Sequence, residues 1–194
     1  MENPGIIQLM SHYTERGEDR PLTFPGNVTR PALVKDANLV HALYEDTPSY
    51  FDIISIPIPT LAEVATELIT AVNDPRRFVE LVLIPPPHGP TGVPERFRDP
   101  VTGREVAGYL DYKLDYPEAG DATVNLLLVR TTLQNRGIGK QCVADLEERL
   151  AGKVGRVLAS IYGRNPRAEH FWKSLGYTFA IDAKPVLDWY AKTL

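Results

Sequence analysis

Two glycines and two basic side chains follow a run of apolar residues. The run Leu127-Leu128-Val129 is followed, after a short polar stretch, by Gly137 and Gly139, with Arg136 and Lys140 beside them. A strand that enters a helix through such a loop presents the unpaired N–H groups of the helix start, and glycine lets a ligand approach them closely. The arrangement predicts an anion site, and phosphate is the anion it favours. The alternative is a glycine pair that only begins a helix.

Two nucleotide-binding motifs compete for this loop, and the sequence departs from both. A Walker A loop needs glycine where Gln134 stands and serine or threonine where Gln141 stands. A Rossmann fingerprint needs a third glycine in place of Cys142, within a parallel βαβ unit. The loop therefore belongs to neither class.

A second motif lies further along the chain. Asn165-x-x-Ala168-x-x-Phe171-Trp172 is followed by Gly176-Tyr177. Asn165 can cap a helix that has Pro166 at its first position, and the apolar residues recur at helical spacing. A short apolar segment at 157–161 predicts a strand between the two motifs.

The two motifs together resemble a known family. Gln134-x-x-Gly137-x-Gly139 is similar to the Q/R-x-x-G-x-G/A signature of the GNAT superfamily of acetyl-CoA-dependent N-acetyltransferases. The second motif resembles the N-x-x-A-x-x-[FL]-Y-x-x-x-G-[FY] helix of that family. The resemblance covers residues 29–194 and implies an α/β (mixed α+β) fold. It implies a single domain, with a mostly antiparallel sheet that splays at the acetyl-CoA site and carries helices on both faces. Residues 1–28 would then form an N-terminal extension.

The resemblance also implies which residues contact acetyl-CoA, the co-substrate. Backbone N–H groups of the loop would hold the pyrophosphate, and the end of the preceding strand would pair with the amide arm of the pantetheine. The Val129 N–H would face the thioester carbonyl as an oxyanion donor. The residues predicted to bind the coenzyme are Leu127, Leu128, Val129, Gln134, Asn135, Arg136, Gly137, Ile138, Gly139, Lys140, Asn165 and Trp172. No metal is implied.

In the family, the acceptor amine attacks the thioester directly, and a tyrosine of the second helix often protonates the leaving thiolate. This chain has Trp172 at that position, and an indole N–H has negligible acidity. A thiol with a pKa of about 8.5 is a good leaving group without help, so the change is tolerable. Tyr162 or Tyr177 is a substitute donor in one interpretation; packing roles for both are the favoured one.

The proton that leaves the amine needs an acceptor near the splay. Asp111 is the predicted base because a carboxylate within the strand Tyr109-Leu110-Asp111-Tyr112 needs a reason. Its face of the strand is either solvent-exposed or part of the acceptor cleft. Asn125, beside the leucine run, is placed to contact an acceptor but cannot act as a base. Tyr116 and Glu118 lie in the adjoining turn.

The acceptor would be bound by the variable segment 39–69, whose aromatics Tyr44, Tyr50 and Phe51 either line a pocket or pack. Cys142 is predicted to be a core residue rather than an acyl relay. Two functions follow. One is an active N-acetyltransferase for a small-molecule or peptide amine. The other is a catalytically weak or inactive acetyl-CoA-binding module with a regulatory or interaction role.

Composition limits the remaining classes. The chain has 194 residues, of which 43% are hydrophobic and 24% charged, and a formal charge of −4, so neither disorder nor nucleic-acid binding is favoured. The apolar runs are too short to span a membrane. A single cysteine and an N-terminus unlike a signal peptide predict a cytoplasmic protein. The spacing of His41, His88 and His170 indicates no metal site, and a homodimer stays an open alternative.

The elements that position these residues can be read from periodicity and from glycine and proline. A short strand is predicted within 29–35, followed by helices from residue 37, from Thr47 and from Thr60. The third helix carries an apolar stripe of Leu61, Val64, Leu68, Ile69 and Val72. An antiparallel meander at 78–84, 106–114 and 122–129 contains a Pro-rich connection at 85–103. A helix from 138 to 150, a strand at 156–162, a helix from 166 and two final strands complete one domain.

Overall fold

The computed structural model describes residues 28–86, 92–184 and 187–193. In this part of the chain the α-helices are α1 (Ala37–Asp46), α2 (Pro48–Ile54), α3 (Leu61–Asn73), α4 (Ile138–Leu150) and α5 (Pro166–Ser174). The strands are β1 (Val28–Pro31), β2 (Arg77–Ile84), β3 (Glu105–Leu114), β4 (Asp121–Val129), β5 (Arg156–Tyr162), β6 (Thr178–Lys184) and β7 (Leu187–Thr193). Short 3₁₀ turns lie at Val34–Asp36, Glu95–Phe97 and Thr131–Leu133.

The strands form one open seven-stranded sheet in the order β1-β2-β3-β4-β5-β7-β6. Neighbouring strands are antiparallel except β4 and β5, which are parallel. The parallel pair needs a crossover, and α4 provides it between the two strands. The predicted meander and the strand–helix–strand crossover after it are therefore confirmed.

Helices cover both faces of the sheet. Helices α1, α2 and α3 pack on one face, where the core includes Val40, Leu43, Phe51, Val64, Leu68, Leu81, Tyr109 and Leu128. Helices α4 and α5 pack on the other, where it includes Leu110, Cys142, Leu146, Val157 and Trp172. Alternate residues of β2 and β3 enter opposite cores because successive strand side chains point to opposite faces. The predicted fold class is confirmed.

Helix α3 begins where the sequence predicts and buries a narrower stripe than predicted. Thr60 Oγ1 accepts a hydrogen bond from the Glu63 N–H at 3.3 Å, and the Glu63 carboxylate accepts one from the Thr60 N–H at 2.7 Å, forming a capping box. Val64 and Leu68 are buried together with Ala71. Three members of the predicted stripe lie at its flanks and stay exposed: Leu61, Ile69 and Val72.

Two further predictions about the elements have mixed outcomes. The strand predicted within 29–35 ends at Pro31, and its second half forms the 3₁₀ turn Val34–Asp36. Described residues of the Pro-rich connection include a 3₁₀ turn at Glu95–Phe97 and a bridge between Arg98 and Glu105. Residues 1–27 and 87–91, with His88, lie outside the described residues, so the extension at 1–28 stays a prediction.

Candidate functional site

Strands β4 and β5 separate halfway along their length. Their parallel pairing ends where Val124 lies opposite Ala159, although β4 continues to Val129 and β5 to Tyr162. Past that point no pairing between the two strands occurs in the described chain. The splay implied by the family resemblance is therefore present, and it leaves backbone groups of both strands available to a ligand.

A β-bulge lies at the start of the splay. The β3–β4 register passes from Tyr112 opposite Val124 to Asp111 opposite Leu126, so Asn125 is an extra residue with none opposite it. Val124 packs with α4 and α5, whereas Leu126 packs with the α1–α3 core. The bulge thus reverses the alternation of β4 just where its pairing with β5 ends.

The hydrogen-bond pattern of β4 gives the direction of its backbone groups. The Arg130 N–H donates to the carbonyl of Ala107 at 2.9 Å, and register places these two residues opposite each other. Because hydrogen-bonded and non-hydrogen-bonded pairs alternate in an antiparallel ladder, the N–H and C=O of Leu127 and Val129 point away from β3, toward the splay. The Leu128 backbone groups point to β3. The predicted pairing of Leu128 with a pantetheine arm is therefore wrong for its backbone.

The loop after β4 is fastened to the end of that strand. Gln134 Nε2 donates to the carbonyl oxygen of Val129 at 2.8 Å. Arg130 forms a buried ion pair with Glu105 of β3. The Gln134 contact occupies the Val129 carbonyl but leaves its N–H free to face the splay, so the signature glutamine shapes the loop through a side-chain contact.

The glycines at the start of α4 have different local reasons. Gly137 is the N-cap of α4 and has a φ of 81°, a conformation that glycine adopts without strain. At Gly139, a Cβ would lie 3.3 Å from the ring of Phe171 in α5. Gly139 therefore lets α4 and α5 approach each other, in addition to leaving room for a ligand at the helix start.

A groove of about 530 Å³ follows the splay from this loop to α5. Most residues predicted to bind the coenzyme line it: Leu127, Leu128, Val129, Gln134, Asn135, Gly137, Ile138, Gly139, Lys140, Asn165 and Trp172. Arg136 is exposed and lies outside this wall. On the α5 side the groove is lined by Arg167 and His170, which sequence reasoning did not single out.

Asn165 and Trp172 reach the groove while serving α5 itself. Asn165 Oδ1 accepts a hydrogen bond from the Ala168 N–H at 3.0 Å and so caps the helix. Trp172 is buried, with its ring centroid 5.1 Å from that of Phe171 and 4.9 Å from that of Tyr177. Both positions are consistent with the packing and capping roles read from the sequence.

Two alternatives for proton or acyl transfer are removed by burial. Tyr177 lies outside the walls of the groove, and burial raises the pKa of its hydroxyl. Cys142 is buried in the core of α4, and burial raises the pKa of its thiol to about 12. A thiol in that state is a poor nucleophile, so Cys142 is a core residue as predicted. Tyr162 does line the groove.

A second cavity of about 730 Å³ adjoins the groove. Its ionisable residues are Glu67, Asp74, Arg77, Asp111 and Lys113, and its other residues are Ile54, Ile56, Thr70 and Tyr116. Five residues line both spaces: Tyr50, Asn125, Leu126, Ser160 and Tyr162. The groove and the second cavity therefore meet at the bulge and the splay. Tyr44 and Phe51, considered with Tyr50 as acceptor contacts, are buried in the core instead.

Asp111 lines the second cavity, which decides between the two faces left open by the sequence. It is buried, and Arg77 donates three hydrogen bonds to its carboxylate. Asn125 Nδ2 donates to its Oδ1 at 3.1 Å. Both oxygens are thus occupied by protein donors. Direct contact with an acceptor amine, which a general base needs, is not available to Asp111 in this arrangement.

Sequence reasoning missed the partners of Asp111. Arg77 Nη2 also donates to Glu67 Oε1 at 2.9 Å, so one guanidinium bridges two carboxylates. The three residues come from α3, β2 and β3, and their pairing depends on the register of β2 with β3. The only available signal was the rare placement of charged residues inside or beside apolar segments. Glu118, considered for the turn, is exposed there and lies outside both cavity walls.

Comparisons with known proteins agree with this architecture. A family model described as "Acetyltransferase (GNAT) family" matches residues 73–177. The crystal structure of an acetyltransferase from Thermus thermophilus is 38% identical, covers 88% of this chain and 98% of its own, and has a TM-score of 0.75. A search of curated proteins found no match. The chain therefore belongs to the GNAT acetyltransferase family.

Two more distant structures share the fold. The PaiA N-acetyltransferase from Thermoplasma acidophilum, in complex with coenzyme A, is 11% identical, with a TM-score of 0.62 over 88% of this chain and 100% of its own. RimL, a ribosomal L7/L12 α-N-protein acetyltransferase in complex with coenzyme A, is 14% identical, with a TM-score of 0.67 over 88% and 96%. At these identities the likeness concerns the fold alone.

Two searches of the described residues were negative. Among them, no helix is long and apolar enough to cross a membrane. No group of three or more histidine, cysteine, aspartate or glutamate side chains is arranged there to hold a metal ion.

Proposed function

We propose that this protein is an N-acetyltransferase that moves an acetyl group from acetyl-CoA to a primary amine by direct attack in a ternary complex. The observation that carries the proposal is the meeting of the groove and the second cavity at Asn125 and Tyr162. Two substrates bound on either side of this junction would bring a thioester carbonyl and an amine together, and such placement supplies much of the rate.

The residues present fit acetyl-CoA in the groove. The start of α4 offers N–H groups and the positive end of a helix dipole to a pyrophosphate, and Lys140 adds a full charge. Arg167 on the facing wall is a further candidate for a phosphate. Leu127 and Val129 direct backbone groups into the splay, where an amide arm can pair with them. Arg136, outside the wall, would contribute long-range charge only.

In this proposal each residue at the junction has a defined task. The Val129 N–H donates to the oxygen that gains negative charge when the amine attacks the carbonyl carbon. The C–S bond then breaks, the sulfur leaves as a thiolate, and the nitrogen gives up a proton. Asn125 orients the amine. Asp111 holds Asn125 and Arg77 in place, and a water molecule at the junction accepts the proton.

The second candidate is a protein that binds acetyl-CoA without transferring the acetyl group. Two observations favour it: Trp172 stands where the family often has a tyrosine, and both oxygens of Asp111 are engaged. The cytoplasmic location, the absence of nucleic-acid partners and the alternative of a homodimer stay predictions from the sequence.

One experiment separates the two candidates. The protein is incubated with acetyl-CoA and a panel of amines, and the release of free CoA thiol and the mass of each amine are followed. An N-acetyltransferase releases thiol in proportion to acetylated amine. A binding module retains acetyl-CoA affinity by calorimetry and releases no thiol above the rate without amine. The second result would overturn the transferase proposal.

A further inference from the structure

The second cavity has an inverted distribution of charge and exposure. Asp111 is buried, and the side chains of Arg77 and Lys113 are about four-fifths covered, at 20% and 22% exposed. The large apolar and aromatic residues Ile56 and Tyr116 are 49% and 42% exposed. Ordinary protein surfaces place charges outside and apolar groups inside. The arrangement here is that of a concave site with polar groups at its base and an apolar rim.

The ionisable groups of the cavity pair unevenly. Lys113 Nζ lies 2.6 Å from Asp74 Oδ2, which makes one balanced ion pair. Arg77 serves Asp111 and Glu67 together. Three carboxylates thus face two cations, and one negative charge remains, shared by Glu67 and Asp111 around a single guanidinium. Coulomb attraction at such partly buried positions favours a ligand with one positive charge.

The neighbouring phenols report the same excess of negative charge. Burial first, then Asp111 and Glu67, raise the pKa of the Tyr109 hydroxyl, and Arg77 opposes them only in part. Burial also raises the pKa of Tyr50, with Glu67 and Asp111 contributing. The Tyr109 hydroxyl is fully buried, two residues from Asp111 on the same face of β3, and it has no hydrogen-bond partner among the described residues.

We propose that the second cavity selects a small primary amine with a single positive charge and an aromatic body, an arylalkylamine. This inference rests on the proposed function, because it names the acceptor for that same site. The ammonium group lies at the junction, next to Asn125 and within the field of Glu67. The ring lies against Tyr116 and Tyr162, whose exposed faces offer offset or edge-to-face contacts.

Other classes of amine fit the lining less well. A polyamine or an aminoglycoside carries several positive charges, and the second of them would meet Arg77 and Lys113. An amino acid carries a carboxylate, but both cations of the cavity are already paired with carboxylates of the chain. A peptide N-terminus would place polar backbone groups against Ile56 and Tyr116, which offer apolar surface.

The test compares four acceptors with the unmodified protein: 2-phenylethylamine, n-butylamine, spermidine and phenylalanine. We expect 2-phenylethylamine to have the highest kcat/KM, and n-butylamine to be at least about tenfold poorer because it lacks the ring, which corresponds to about 1.4 kcal/mol. Binding to the protein–CoA complex is measured separately by calorimetry, so affinity for the acceptor is known whether or not turnover occurs.

A matched pair of variants tests the charge. Glu67→Gln keeps the shape and removes the excess charge, so KM for 2-phenylethylamine should rise by about tenfold or more, with KM for acetyl-CoA unchanged. Glu45→Gln removes the same unit of charge from an exposed position on α1, outside both cavity walls, and should change neither constant. Lys113→Gln frees Asp74, so kcat/KM for 1,4-diaminobutane relative to 2-phenylethylamine should rise.

The outcomes separate the acceptor class from the reaction. If spermidine or phenylalanine is the best acceptor, the transferase stands and the acceptor class is overturned. If 2-phenylethylamine binds in a Glu67-dependent way and no amine releases thiol, the cavity is as inferred and the transferase proposal fails. If 2-phenylethylamine neither binds nor reacts, or if Glu67→Gln and Glu45→Gln behave alike, the inference about the cavity is wrong.

Discussion

Gly108 of β3 leaves the space that the carbonyl oxygen of Leu128 in β4 occupies. A Cβ at Gly108 would overlap that oxygen, which belongs to the backbone and cannot move alone. Gly108 therefore allows β3 and β4 to stay paired at the point where β4 leaves β5. The next residue of β4 is Val129, whose N–H is the proposed oxyanion donor, so this close approach supports the splay from its far side.

Gly108→Ala should destabilise the fold by about 1–3 kcal/mol, because an overpacked contact with backbone forces the strands apart. Gly155→Ala is the matched control, since its Cβ would meet the Gly120 oxygen at an ordinary 3.8 Å. The free energy of unfolding is measured by chemical denaturation. Equal stability of the two variants would show that the β3–β4 contact is not under this constraint.

Gly139→Asp should weaken the binding of acetyl-CoA by at least about tenfold, since it adds bulk and negative charge where a pyrophosphate is proposed. Gly139→Ala makes the same first contact with the Phe171 ring but adds no charge. Calorimetric titration of both variants separates the loss due to bulk from the loss due to charge. Unchanged affinity of Gly139→Asp would place the coenzyme elsewhere.

Local signals in the sequence predicted the helices, and the site depended on contacts across the sheet. Thr60 with Glu63 and Asn165 with Pro166 are neighbours in the chain, so their capping geometry could be read directly. The bulge at Asn125 could not, because alternation continues through it in the sequence and only the β3–β4 register reveals it.

The charges of the second cavity show the same limit. Asp111 was singled out as unusual in a strand, but its function depends on Arg77 and Glu67, far away in the chain. A strand pattern specifies the face on which a carboxylate lies and not which cation the adjacent strand places beside it. This is why the sequence suggested a free base and the structure has a bridged ion pair.

Trp172→Phe should lower kcat of a confirmed acetyl transfer by less than about tenfold, or about 1.4 kcal/mol of barrier. The indole N–H has negligible acidity, and the phenyl ring keeps most of the packing against Phe171 and Tyr177. The melting temperature is measured alongside, because the ring is buried and its truncation costs stability. A loss near a thousandfold in a folded variant would require a direct role for Trp172.

Asp111→Asn tests whether that carboxylate takes the proton or holds its neighbours. We expect the variant to lose about 3 kcal/mol of stability, because Arg77 keeps only Glu67 as a partner in a largely buried place. Acetyl-CoA affinity should be unchanged. If Asp111 is a positioning residue, kcat should fall by less than about tenfold and the pH–rate profile should keep its shape.

The profile is the decisive measurement, because a simple loss of rate fits either role. A general base that has been removed costs ~10²–10⁴ in rate, and part of that loss returns at high pH as free amine accumulates. A displaced Asn125 lowers the rate equally at every pH, because it misplaces the amine instead of leaving its proton in place. Recovery at high pH would restore Asp111 as the base. A pH-independent loss would leave the proton to water at the junction, within reach of Asn125 and Tyr162, the two residues that face both substrates.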